Sequence, residues 1–181
     1  LIDENTDTAM FESADIICYL YKTYALWTPP SESLESASAV VTPLLKPIYQ
    51  KLAPLQAGAN GEDTSAYDAA IAKAKTEIED EINADAVVVY TYSLSPFCTE
   101  ATDLLDNLDI KYKEISLGKE WIPGLIEEPI KRAALGEMTG QTSLPHVFVG
   151  GESIGGIFSG TPGLVPALEE GTLMKLIDEA A

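Results

Sequence analysis

Val87-Val88-Val89-Tyr90-Thr91-Tyr92-Ser93-Leu94-Ser95-Pro96-Phe97-Cys98 passes from an uninterrupted apolar run to a helix start in one short stretch. The β-branched and aromatic residues Val87 to Tyr90 predict a buried strand. Ser95 is a favoured helix N-cap type and Pro96 suits the first helical position. Cys98 then falls at the third helical position, where free backbone N–H groups and the helix dipole favour a thiolate. The same residues also read more plainly, Ser95 as a cap and Cys98 as a small buried filler, since cysteine is among the most buried residue types.

Regular patterning extends on both sides of this stretch. Residues 67–83 read as a helix with Ile71, Ala74, Ile78 and Ile82 on one face and acidic residues on the other. After Val87–Tyr90 come a helix from Pro96 to Leu108, a strand from Tyr112 to Leu117, and a helix over 127–139 closed by Gly140. Val147-Phe148-Val149 and Glu152-Ser153-Ile154, joined by Gly150-Gly151, predict a hairpin with a two-residue turn. Helices near 163–169 and 172–180 follow. The order αβαβαββα, with a first βαβ crossover, predicts an α/β fold with one parallel strand pair.

The preceding residues have a different texture. Residues 1–10 read as strand, polar turn, strand, and 11–20 as a helix with Ser13 at its N-cap. A hairpin and one helix cannot bury a core of their own, so this unit is partial. Residues 26–64 carry Pro29, Pro30, Pro43, Pro47 and Pro54, which limit any helix there to short pieces. Val40, Val41, Leu44, Leu45, Ile48, Tyr49, Leu52 and Leu55 nevertheless keep helical spacing, which predicts a connector packed on another surface rather than a free tether. Gly58-Ala59-Asn60-Gly61 reads as a loop.

Composition narrows the function classes. The 181 residues are 46% hydrophobic, ample for a packed core. Eleven basic residues against 29 acidic ones give a formal charge of −18, a field that repels nucleic acid and anionic membrane and favours either plain solubility or a basic protein partner. No apolar run reaches the ~20 residues of a membrane span. Two cysteines, Cys18 and Cys98, and one histidine, His146, make neither a disulfide framework nor a metal site, and fit a reducing compartment. No signal peptide is visible; the chain opens on Leu1 rather than Met, which leaves room for a removed or upstream targeting segment.

Three landmarks together resemble the glutaredoxin family over residues 86–181. The strand Val87–Tyr90 leads into Ser95-Pro96-Phe97-Cys98, where the family carries Cys-Pro-Tyr/Phe-Cys or Cys-Gly-Phe-Ser. Gly140-Gln141-Thr142-Ser143-Leu144-Pro145 followed by His146-Val147-Phe148-Val149 is similar to the family's Thr-Val-Pro loop and apolar strand. Ile154-Gly155-Gly156 is similar to its glycine pair before the last helices. The resemblance implies a thioredoxin-like fold and a glutathione site. Pro145 would be a cis-proline that turns the Leu144 backbone toward the cysteinyl part of glutathione, and Gly155 and Gly156 would admit the γ-glutamyl end. Gln141 and Ser143 belong to the same expected site.

Departures from the family pattern set the functional question. The position of the exposed nucleophile is Ser95, whose hydroxyl cannot attack a disulfide without an activating base. Cys98 takes the second, more sheltered position. Tyr92 stands at the family's lysine, and Ile157-Phe158-Ser159-Gly160 replaces the acidic or polar pair after the glycines. Gln141, Ser159 and Thr161 are candidates to compensate.

Residues 1–25 resemble the second half of a glutathione S-transferase N-terminal domain, through Asp3-Glu4-Asn5-Thr6 and Met10-Phe11-Glu12-Ser13-Ala14-Asp15. The resemblance implies that Glu12 takes the γ-glutamyl ammonium and Ser13 the carboxylate. Plant and algal plastid proteins pair such domains, which implies a plastid location, with the cytoplasm as the alternative.

The expected architecture is therefore a partial transferase-like, thioredoxin-like unit at 1–25, a Pro-interrupted connector at 26–64 and a glutaredoxin-like domain at 65–181. Two function classes follow. In one, the chain is a non-catalytic interaction module or accessory subunit of a larger, plastid assembly, binding glutathione weakly. In the other, it is a glutathione-dependent thiol oxidoreductase using Cys98 as a single thiol, with Ser95 beside it.

Overall fold

The computed structural model describes residues 2–5, 8–9, 51–58, 64–93, 95–119 and 128–180. The helix expected over 11–20, with Glu12, Ser13 and Cys18, lies outside the described residues, as does the connector up to residue 50.

The opening hairpin is present as β1 (Ile2–Asp3) paired antiparallel with β2 (Thr8–Ala9). Asp3 Oδ1 accepts from Asn5 N at 3.0 Å, a side-chain-closed turn of the kind Asp favours. Residues 51–56 are helical. Ala53 is buried there, but Leu55 is 69% exposed.

The regular part of the chain begins with α1 (Ser65–Ile82), followed by β3 (Val87–Thr91) and α2 (Pro96–Asn107). Next come β4 (Lys113–Ser116), α3 (Pro129–Thr139), β5 (His146–Val149) and β6 (Glu152–Gly155). Helices α4 (Leu164–Glu169) and α5 (Leu173–Ala180) close it. The sheet order is β4-β3-β5-β6, with β3 parallel to β4 and the other neighbours antiparallel.

Strand β3 is buried at every residue because helices cover both faces of the sheet. Alternation sends Val87 and Val89 to one face, where they meet Ala101, Leu104 and Leu105 of α2 and Leu164 of α4. Val88 and Tyr90 face the other layer, Ile71, Ala74 and Ile78 of α1 and Leu135 of α3. The Tyr90 hydroxyl donates to Glu81 Oε2 at 2.5 Å, and Lys131 Nζ lies 2.5 Å from Glu81 Oε1, so β3, α1 and α3 share one polar knot at the edge of that layer. Among the described residues, no helix is long and apolar enough to cross a membrane.

Candidate functional site

The site is built at the end of β3. There the chain turns through Tyr92, whose carbonyl accepts from Ser95 N at 3.2 Å. Ser95 is extended, with φ −89° and ψ 118°, as an N-cap requires. Its Oγ accepts from Cys98 N at 3.3 Å, and its carbonyl accepts from Thr99 N at 3.1 Å. Ser95 is half-buried, whereas Cys98 is only 2% exposed. The Cys98 sulfur accepts the backbone N–H of Tyr92 at 3.3 Å.

The facing wall is the segment between α3 and β5. Helix α3 ends on Gly140 in the left-handed conformation, φ 76°, the usual glycine role at a helix C-terminus. Gln141 Nε2 donates to Ser143 O at 3.1 Å and to Pro145 O at 3.3 Å, so the glutamine braces the loop from inside. The Leu144–Pro145 peptide bond is cis. Among the described residues, Leu144 makes no backbone hydrogen bond. Extending the β3–β5 register, in which Tyr90 pairs with His146, sets Tyr92 opposite Leu144.

The glycine pair divides into two roles. A Cβ on Gly156 would lie 3.3 Å from Gln141 Nε2 and 3.4 Å from Pro145 O, so this glycine packs against the braced loop. Gly155, at φ +101°, pairs with Gly160 in an isolated bridge, and a Cβ there would overlap Gly160 and Ser159. The structure thus gives Gly155 a job in closing its own loop. Ser95 and Cys98 form one cluster and Gln141, Ser143, Pro145 and Gly156 another, while Glu12 and Ser13 lie outside the described residues.

Sequence reading missed the residue between these clusters, Arg132. It is the sole arginine of the chain and is 6% exposed. Its Nη1 donates to the Tyr92 hydroxyl, and its Nη2 donates to Thr142 O at 2.7 Å. A lone arginine on an apolar helix face of a chain with 29 acidic residues was the available signal.

His146 is fully buried, stacked on Phe148 with ring centroids 4.7 Å apart, and its Nε2 lies 2.7 Å from Ser153 Oγ. Burial pushes its pKa down from 6.5 to about 4, so the ring is neutral at ordinary pH.

The glutaredoxin family profile matches residues 87–154, which hold both walls of this site. A glutaredoxin from Ricinus communis is 37% identical over 107 residues, covering 59% of this chain and 96% of that protein. The chain belongs to the glutaredoxin family. A glutaredoxin from Solanum lycopersicum is 38% identical over 111 residues, covering 61% of this chain and 90% of the relative. Among solved structures, the buckwheat glutaredoxin–glutathione complex superposes with a TM-score of 0.54 at 26% identity, covering 62% of this chain and 94% of that one. Wheat glutaredoxin gives 0.52 at 29% identity over 61% and 94%. In this glutaredoxin, the mixed four-stranded sheet between two helical layers is the thioredoxin-like arrangement the resemblance implied. The relatives account for about three fifths of the chain, and the family profile does not extend to residues 1–25.

Proposed function

We propose that this glutaredoxin domain binds glutathione, or a cysteinyl peptide like it, in the groove between Ser95 and the Ser143-Leu144-Pro145 segment, without turning over disulfides. The observation that carries the reading is the burial of Cys98: it is 2% exposed, while Ser95 holds the more open position at the helix start. A thiol attacks a disulfide only along the sulfur–sulfur axis, so a sulfur enclosed in the core cannot reach a bulky partner. Ser95 cannot substitute, because its Oγ already accepts the Cys98 N–H and the one histidine of the chain, His146, is spent on Ser153.

The groove itself suits a peptide. Leu144 offers an N–H and a C=O that no described residue uses, the requirement for strand-like pairing with a ligand backbone. Gly156 lets the chain pack closely behind Pro145, where a Cβ would crowd Gln141 Nε2 and Pro145 O. Ser143 and Gln141 support that edge, and Gly155 keeps the loop closed behind it. A domain of this kind serves as an interaction module or accessory subunit, and the acidic chain favours a basic partner surface. A plastid assembly is the setting we propose for it.

The test is a glutathione titration followed by a coupled assay with a small glutathione mixed disulfide. Binding with no turnover supports the reading. Turnover like that of an ordinary glutaredoxin, abolished in Cys98→Ser, overturns it and makes Cys98 a single-thiol nucleophile. In that case the Tyr92 N–H and the α2 N-terminus would stabilise the thiolate.

A further inference from the structure

We infer that Arg132 is a positioning residue that couples the Ser143-Leu144-Pro145 wall to the Cys98 thiol through Tyr92. The inference rests on the groove assignment above only in calling that wall functional. Arg132 is buried on α3 and reaches two separate chain segments with the two arms of one guanidinium: the Tyr92 hydroxyl at the end of β3 and the Thr142 carbonyl just before the loop. Its Cζ also lies 4.7 Å from the centre of the Tyr92 ring. The fork is planar and rigid, so fixing one arm fixes the direction of the other.

Tyr92 passes this constraint on. The residue is 6% exposed, its hydroxyl oxygen accepts a hydrogen bond from Arg132 Nη1, its N–H donates to the Cys98 sulfur at 3.3 Å, and its carbonyl accepts from Ser95 N at 3.2 Å. One path of direct contacts therefore runs from Thr142 through Arg132 and Tyr92 to both Cys98 and Ser95. A displacement of the loop carbonyl turns the guanidinium, and the turned guanidinium releases the tyrosine whose backbone holds the sulfur. A tyrosine tethered only by packing would transmit nothing of this kind.

The experiment measures iodoacetamide alkylation of Cys98 in the full chain, read by peptide mass spectrometry so that Cys18 is counted separately. The variants are Tyr92→Phe, Arg132→Gln, their double mutant and Arg132→Lys. Tyr92→Phe keeps the ring and the N–H and removes only the hydroxyl, which is the end remote from the sulfur. Loss of one hydrogen-bonded restraint is expected to raise the alkylation rate about three- to tenfold in Tyr92→Phe and in Arg132→Gln alike. The double mutant is expected to match Arg132→Gln alone, because both changes cut one path. Arg132→Lys keeps a cationic donor for one acceptor and is expected to fall between wild type and Arg132→Gln. Val165→Ala, a core change in α4 within the other layer of the core, should leave the rate within about twofold of wild type. A Tyr92→Phe rate equal to wild type, or rates that multiply in the double mutant, would overturn the coupling, and Tyr92→Phe decides the matter even if Arg132→Gln does not fold. No readout here uses glutathione, so the coupling and the groove assignment fail separately.

Discussion

The backbone N–H of Tyr92 meets the sulfur of Cys98 at 3.3 Å, so the cysteine in the first turn of helix α2 is turned back toward the end of strand β3. Its own N–H is taken by Ser95 Oγ, which makes Ser95 a structural cap before it is anything else.

Replacing Ser95 by Ala should therefore cost stability. Losing an N-cap side chain is worth about 1 kcal/mol. Urea unfolding should show a lower midpoint with an unchanged slope, and Ser95→Asp should recover most of the loss, because a carboxylate both caps and complements the helix dipole.

Tyr90 tests the knot between the layers. It is fully buried, its hydroxyl donates to Glu81 Oε2, and burial together with that carboxylate holds its pKa well above the ordinary tyrosine range. Tyr90→Phe removes the donor and leaves Glu81 with Lys131, which should destabilise by about 1–2 kcal/mol. A change below ~0.3 kcal/mol in denaturant unfolding would show that the hydrogen bond contributes nothing net.

His146 gives a pH signature. Its folded pKa is pushed down to about 4 from 6.5, so between those values the unfolded chain binds a proton that the folded chain does not. The stability from keeping the ring neutral is complete above pH 6.5, shrinks as pH falls through 6.5 and is gone below about 4. The amount is on the order of 3 kcal/mol. Unfolding free energies of wild type and His146→Asn, compared from pH 4 to 7, should converge at the acid end; parallel curves would show that His146 does not titrate this way.

Much of this was legible in residue order. The inward face of α1, the Ser95–Pro96 helix start, the Gly150–Gly151 turn and the Gly140 helix end are each specified by local chemistry, and each stands where that chemistry puts it. Arg132 was missed because its partners, Tyr92 and Thr142, are 40 and 10 residues away, and no local pattern joins them. The pairing of Gly155 with Gly160 was not legible, because that close approach exists only in the folded loop.

The central claim is that the groove persists and only an exposed thiol is lacking. Ser95→Cys tests it most directly, in the coupled assay with a glutathione mixed disulfide. The account predicts that wild type shows no turnover above background while Ser95→Cys, with its thiol at the capped and half-buried helix start, gains turnover at least ten times the background rate. A folded Ser95→Cys protein that neither binds glutathione nor turns over would contradict it.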